Sequence, residues 1–154
     1  MEIAEFCQSD ADSVLEIQRA AYRPLFEKYR DEATNPYLEC REKIMEKYSR
    51  SHTKGYIFIV DGKPVGSVRV MFCPEEKRAR ISALAVRPEY QGRGIAQEAL
   101  LRIESLHPDV EKWQLDTISE EAGNCHLYEK LGYRRSGEAK RINENMTLVF
   151  YEKP

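Results

Sequence analysis

The chain has 154 residues, a formal net charge of −2, and a composition that is 42% hydrophobic and 32% charged. This suits one ordinary globular domain spanning residues 1–154, able to bury a core without disulfides or structural metal. No overall basic excess drives it onto nucleic acid or an acidic membrane, no apolar run approaches the ~20 residues of a membrane span, and Met1-Glu2-Ile3-Ala4-Glu5-Phe6 lacks a signal peptide's charged and apolar regions, so a cytoplasmic location is expected.

In chain order, Ile3 to Phe6 is expected as an edge strand. Ser9 or Asp10 is placed to cap a helix running through Ala20, with Val14, Ile17 and Ala21 on one face. Asp31 to Pro36 is polar and contains the turn signal Asn35-Pro36. A second helix is predicted over Leu38 to Tyr48, with Ile44, Met45 and Tyr48 as its apolar face. Gly55 to Val60 is rich in strand formers, Asp61-Gly62-Lys63-Pro64 reads as a hairpin turn, and Val65 to Phe72 returns as the second strand. A charged turn, Pro74 to Arg78, leads into Ala79 to Val86. That segment is small and apolar on both faces, as a covered central strand should be. Pro88 ends it, because proline cannot donate a ladder hydrogen bond.

The second half alternates. A helix is predicted from near Gly94 toward Leu106, with Ala96, Ala99, Leu100, Ile103 and Leu106 at helical spacing. In the strand Trp113 to Thr117, Trp113, Leu115 and Thr117 point one way and Gln114 and Asp116 the other. A helix around Asn124 to Leu131 stops at Gly132, a favourable C-terminal cap. Tyr133 to Gly137 and Met146 to Tyr151 complete the set. The order predicts a mixed sheet with helices on both faces, α/β or α+β in class.

Cys7, Cys40, Cys73 and Cys125 are widely spread, without a C-x-x-C pair, so metal-site spacing is absent and free thiols are expected. Cys125 reads as a small buried helix residue rather than a nucleophile. His52, His107 and His126 form no ligand or triad spacing; His126 alone lies near the motifs described next.

The most informative stretch is Val86-Arg87-Pro88-Glu89-Tyr90-Gln91-Gly92-Arg93-Gly94-Ile95-Ala96. A strand runs into a glycine-rich turn and the turn opens a helix. Helix N-termini leave backbone N–H groups without intrahelical partners, and the helix dipole puts partial positive charge there. Gly92, Gly94 and Ala96 carry little or no side chain, so a diphosphate could approach the backbone closely. Arg93 and Gln91 add donors. The plainer alternative is a glycine turn that merely starts a helix. A Walker loop is absent, and the third glycine of a dinucleotide fingerprint is missing.

Gln91-Gly92-Arg93-Gly94-Ile95-Ala96 resembles the Q/R-x-x-G-x-G/A acyl-CoA signature of the GNAT family of N-acetyltransferases. The preceding Ile81-Ser82-Ala83-Leu84-Ala85-Val86-Arg87-Pro88 resembles that family's central strand, and Leu127-Tyr128-Glu129-Lys130-Leu131-Gly132-Tyr133 is similar to its LYEKLGF helix. The resemblance spans roughly Gly55 to Tyr151. It implies a mostly antiparallel mixed sheet that splays between its fourth and fifth strands, here Ala79–Val86 and Trp113–Thr117, with acyl-CoA in the gap. Backbone groups of Leu84, Ala85 and Val86 would hold the pantetheine arm, and the turn of Gln91, Gly92, Arg93, Gly94, Ile95 and Ala96 the pyrophosphate. Acetyl-CoA is the implied co-substrate, with no metal. The implied partner is a small-molecule or peptide amine, with a homodimer left open and neither nucleic acid nor membrane expected.

The family often has a cofactor-contacting asparagine seven residues before the Tyr128 position, where this chain has Glu121. Asn124 either takes over that contact or caps the helix. Tyr128 resembles the family's tyrosine that faces the sulfur. A phenol near pKa ~10 donating to a thiolate near ~8.5 works uphill by about 2 kcal/mol, so hydrogen bonding serves as well as full transfer. Asp116, Glu120, Glu121 and Glu75 are candidate bases by rough position, and a water relay needs none of them. Two competing expectations are a non-catalytic acyl-CoA sensor with the same fold and an unrelated nucleotide-binding protein. The acceptor pocket would come from Tyr22 to Leu38, where Tyr22, Phe26, Tyr29 and Tyr37 sit among charges, and from Arg134 to Asn145.

Overall fold

The computed structural model describes residues 1–154. In chain order it contains β1 (Glu2–Glu5), α1 (Ala11–Tyr29), α2 (Arg41–Tyr48), β2 (Thr53–Val60), β3 (Lys63–Cys73), β4 (Arg78–Val86), α3 (Ile95–Leu106), β5 (Lys112–Ile118), α4 (Ala122–Lys130), β6 (Arg134–Asn143) and β7 (Met146–Lys153). Local chemistry sets several joints. Asp61 and Gly62 both take positive φ, 51° and 76°, which a two-residue hairpin turn requires, and they bring Val60 opposite Lys63. Gly132, at φ 98°, ends α4 as a residue without a Cβ can.

The strands form one seven-stranded sheet in the order β1-β2-β3-β4-β5-β7-β6. Every pairing is antiparallel except that of β4 with β5. Strand alternation divides the core between the two faces. Tyr56, Phe58, Val68 and Val70 point to one face, against Ala99, Leu100 and Ile103 of α3 and Tyr128 of α4. Ile57 points to the other, against Val14 of α1 and Ile44 and Tyr48 of α2. A third cluster ties Tyr29 at the end of α1 to Ile118, Met146 and Leu148. The architecture is the mixed α/β sheet, helices on both faces, that the sequence order predicts.

The first helix departs from expectation. It continues past Ala20 to Tyr29 with Pro24 inside it. A proline forfeits its own backbone donor, but the helix resumes, because Tyr29 is buried at its far end and Arg30, in the left-handed conformation, closes it by donating its N–H to Phe26 O at 2.8 Å. The second helix is shorter than expected: Pro36–Leu38 forms a separate 3-10 turn and α2 begins at Arg41. Leu106, expected on the apolar face of α3, is 58% exposed, since it lies in the last turn beyond the sheet's cover.

One feature of the sheet creates the site. β4 and β5 pair only at Arg78 with Lys112, Ala79 with Trp113 and Arg80 with Gln114. Beyond these three pairs β4 continues to Val86 and β5 to Ile118 without pairing with each other, and the sheet opens into a gap.

Candidate functional site

The gap is prepared by a bulge in β4. Ser67 on β3 faces Ala85 and Arg69 faces Ser82, leaving Ala83 and Leu84 together opposite Val68. Ala83 takes φ 51°, a left-handed conformation that costs an alanine about 1–2 kcal/mol. Past the bulge, Arg87 N–H donates to Val65 O on β3 at 2.8 Å. Residues two apart in a strand orient their peptide groups alike, so the Leu84 and Val86 carbonyls and the Val86 N–H point away from β3 into the gap. Each carbonyl accepts one side-chain hydrogen bond and keeps a second lone pair: Tyr22 OH donates to Leu84 O at 2.5 Å, and Gln91 Nε2 donates to Val86 O at 2.8 Å.

A cavity of about 860 Å³ fills the gap, a size typical of small-molecule sites (~300–1,000 Å³). It brings together Leu84, Ala85, Val86, Gln91, Gly92, Gly94, Ile95, Ala96, Asn124 and Tyr128 of the residues expected from sequence. At one end lies the turn into α3. Gly92 and Gly94 both have φ 78°, and Gly94 is the residue from which the helix starts. Positive φ is therefore one reason for glycine here; a Cβ at either position would meet nothing within 4 Å. The first N–H groups of α3 have no intrahelical acceptors and carry the positive end of its dipole. Arg93 does not line the cavity: its Nη2 donates to Glu89 O at 3.1 Å and its guanidinium lies 4.9 Å from the Tyr90 ring centroid. Gln91 lines it, but its amide nitrogen is committed to the strand.

On the far side, α4 presents Tyr128, 9% exposed. Burial, with smaller contributions from Asp116 and Cys125, pushes its phenol well above the ordinary range, so at neutral pH it is a protonated donor. Glu121, not Asn124, occupies the N-cap of α4. That removes the capping explanation for Asn124, which lies inside the helix and lines the cavity. The Glu121 carboxylate turns to α1 instead, accepting from Tyr29 OH at 2.5 Å and pairing with Lys28 Nζ at 2.7 Å. Burial raises the Glu121 pKa, but these two partners outweigh it and the net direction is down. Cys125 is buried with its Sγ toward Ile118 O at 3.7 Å, and neither it nor His126 lines the cavity.

The four candidate bases separate. Asp116 and Glu121 line the cavity. Glu120 is exposed and accepts from Thr147 N at 3.0 Å; Glu75 is exposed in the turn after β3. Asp116 is ion-paired with Arg80, and its charge acts on both Tyr22 and Tyr128. Of the four aromatic residues expected as pocket wall, only Tyr22 is one: Tyr29 is in the core and Phe26 packs on Tyr37 at 5.3 Å. Asp31, Thr34 and Asn35, within the Tyr22 to Leu38 segment expected to supply the acceptor pocket, also line the cavity. Asp31 accepts from the backbone N–H groups of Ala33 and Thr34, both at 3.0 Å, and from the Thr34 hydroxyl. The polar run from Asp31 and the turn signal Asn35-Pro36 mark this turn in the sequence.

The comparisons with known proteins agree with this geometry. Residues 13–133 match the model of the Acetyltransferase (GNAT) family. No curated protein sequence matches the chain significantly. Among solved structures, the ribosomal-protein-S18-alanine N-acetyltransferase of Escherichia coli superposes with a TM-score of 0.80 at 16% identity, covering 99% of this chain and 92% of its own. The PaiA N-acetyltransferase of Thermoplasma acidophilum, in complex with coenzyme A, gives 0.77 at 17% identity, with 99% of both chains covered. The spermidine N-acetyltransferase of Vibrio cholerae, in complex with CoA and spermine, gives 0.77 at 17% identity, with 98% of this chain and 93% of its own covered. At these identities the likeness concerns the fold.

Proposed function

The chain belongs to the Acetyltransferase (GNAT) family, and from that premise we propose that it transfers an acetyl group from acetyl-CoA to an amine by direct attack in a ternary complex. The observation that carries the proposal is the gap between β4 and β5, closed at one end by the glycine turn into α3 and lined by Tyr128. When bound, acetyl-CoA supplies the thioester for attack and the thiolate that departs. The free N–H groups at the start of α3 would take its diphosphate, an anion at a helix N-terminus. The gap-facing strand from Leu84 to Val86 would hold the pantetheine arm, and Asn124 would contact the cofactor from α4.

A typical alkylammonium, with pKa about 10, must lose a proton before it attacks. Lys28 and Tyr29 hold the Glu121 carboxyl below the usual carboxylate range, which makes it a weak base, and the Asp116 carboxylate is engaged by Arg80. Water, ordered by these carboxylates, would therefore carry the proton out. The Val86 N–H, aimed into the gap, would meet the negative charge growing on the carbonyl oxygen. Tyr128 would donate a hydrogen bond to the departing sulfur; its raised pKa makes full proton transfer costlier than for an exposed phenol. The four cysteines are free, which fits the cytoplasmic location we propose. The test is product formation: acetyl-CoA with a panel of primary amines, followed by thiol release and by mass. Acetylated product from at least one amine is expected; CoA binding without turnover of any amine would make the protein a sensor.

A further inference from the structure

Tyr22 is a side chain of α1, 62 residues away in sequence from the strand it touches. With Ala21, Pro24 and Leu25 it is part of the lining that α1 contributes to the gap. Its hydroxyl donates to the Leu84 carbonyl at 2.5 Å, directly after the bulge at Ala83. A phenol oxygen has one proton and lone pairs in addition. With the proton engaged on Leu84, what the oxygen offers the cavity is its lone pairs alone. Tyr22 lines that cavity together with Asp116 and Tyr128. Tyr128 comes from α4 and Tyr22 from α1, on opposite faces of the sheet. The two phenols therefore approach the opening from opposite sides.

We propose that Tyr22 positions the acceptor amine: its hydroxyl, anchored as a donor on Leu84, accepts a hydrogen bond from an amine N–H and turns the nitrogen lone pair toward the thioester. The inference rests on the acetyl-transfer function above and adds to it the residue that orients the nucleophile. The amine nitrogen bears several protons and needs only one lone pair for attack, so a fixed acceptor on one N–H selects its orientation. Tyr22 takes no proton in this role. Burial, the leading cause, pushes its phenol well above the ordinary range, which keeps its own proton in place, donated to Leu84 O. The arrangement also divides the work between the two tyrosines: Tyr128 gives a hydrogen bond to what leaves, and Tyr22 takes one from what arrives.

The test is Tyr22→Phe, assayed beside the wild type with acetyl-CoA and any amine the wild type acetylates, together with CoA affinity by calorimetry. Loss of one oriented hydrogen bond predicts a fall in kcat of roughly ten-fold, with the CoA dissociation constant unchanged within about two-fold. An unchanged kcat would overturn the assignment and leave acetyl transfer standing. A loss of CoA affinity, with or without loss of the folded state, would also overturn it, making Tyr22 a support for the β4 bulge. Failure of the wild type to acetylate any amine would remove the acetyl-transfer function and this inference with it.

Discussion

The two sides of the gap are built in opposite ways. The side we propose for the cofactor is made mostly of backbone: a bulged strand, a glycine turn and the first turn of α3, contiguous from Ala83 to Ala96. The side we propose for the acceptor is made of side chains from distant segments: Tyr22, Asp31 and Asn35 from the N-terminal third, Asp116 and Glu121 from β5 and the start of α4, and Met146 and Leu148 from β7. A site formed by local backbone leaves a local trace in sequence, because its glycines and helix start must occur at fixed offsets. A site assembled from remote side chains leaves none.

The sharpest way to break this comparison is to spoil the backbone side alone. Gly94→Glu places a carboxylate where the diphosphate should lie and puts a Cβ on a residue at φ 78°. CoA affinity should fall at least about 100-fold, roughly 2.7 kcal/mol, because a like charge then faces the diphosphate and the side chain fills its place on the backbone. Gly94→Ala carries only the conformational cost of ~1–2 kcal/mol, so calorimetry on the two variants separates charge from strain. A folded Gly94→Glu protein with unchanged affinity would move the diphosphate site elsewhere.

Tyr128→Phe should have the next largest effect, on turnover and not on binding. The ring remains, so packing holds. The kcat should fall by up to about 100-fold, the lower end of general-acid contributions, and by about ten-fold if a hydrogen bond to sulfur is all it supplies. The raised phenol pKa favours the smaller figure. Measurement must be made where chemistry limits the rate; full activity there would remove Tyr128 from the mechanism.

What the sequence showed divides along the same line. The hairpin at Asp61-Gly62, the strand from Trp113, the stop at Gly132 and the turn from Gln91 to Ala96 were legible, because each depends on residues adjacent in the chain. The length of α1 was not. Pro24 reads locally as a breaker, and only the burial of Tyr29 against Ile118, Met146 and Leu148 explains why the helix continues. Glu121 illustrates the same limit. Its position matched that of a cofactor contact, whereas its carboxylate is drawn to Lys28 and Tyr29, over 90 residues away.

Alkaline pH should weaken both sides. Burial, the leading cause in each case, raises Tyr56 and Tyr151 to about 12 and lifts Tyr22, Tyr48, Tyr128 and Tyr133 well above their ordinary value. In the unfolded chain these phenols ionise near 10. The unfolded state therefore binds fewer protons above that pH. Stability should be fully present below about pH 10 and fall as pH rises toward 12. Denaturant midpoints at pH 8, 10 and 11 would show it, with tyrosinate absorbance appearing together with unfolding. Early ionisation in the folded protein would mean these phenols are wetter than described.

The smallest effect is expected from Glu121→Gln. The pair with Lys28 is partly solvent-exposed, and such pairs contribute at most about 1 kcal/mol. CoA affinity should change less than about three-fold, and a larger loss would return Glu121 to the cofactor side.

The central claim is that the gap between β4 and β5 is built for acyl-CoA, with its diphosphate on the turn into α3. The most direct measurement is the thermal unfolding midpoint with CoA, ATP and NAD, each at matched concentration. At about 100 times its dissociation constant CoA should add roughly 2.7 kcal/mol of stability and raise the midpoint by several degrees, while ATP and NAD at the same concentration give little shift. A shift with ATP or NAD and none with CoA would contradict the account.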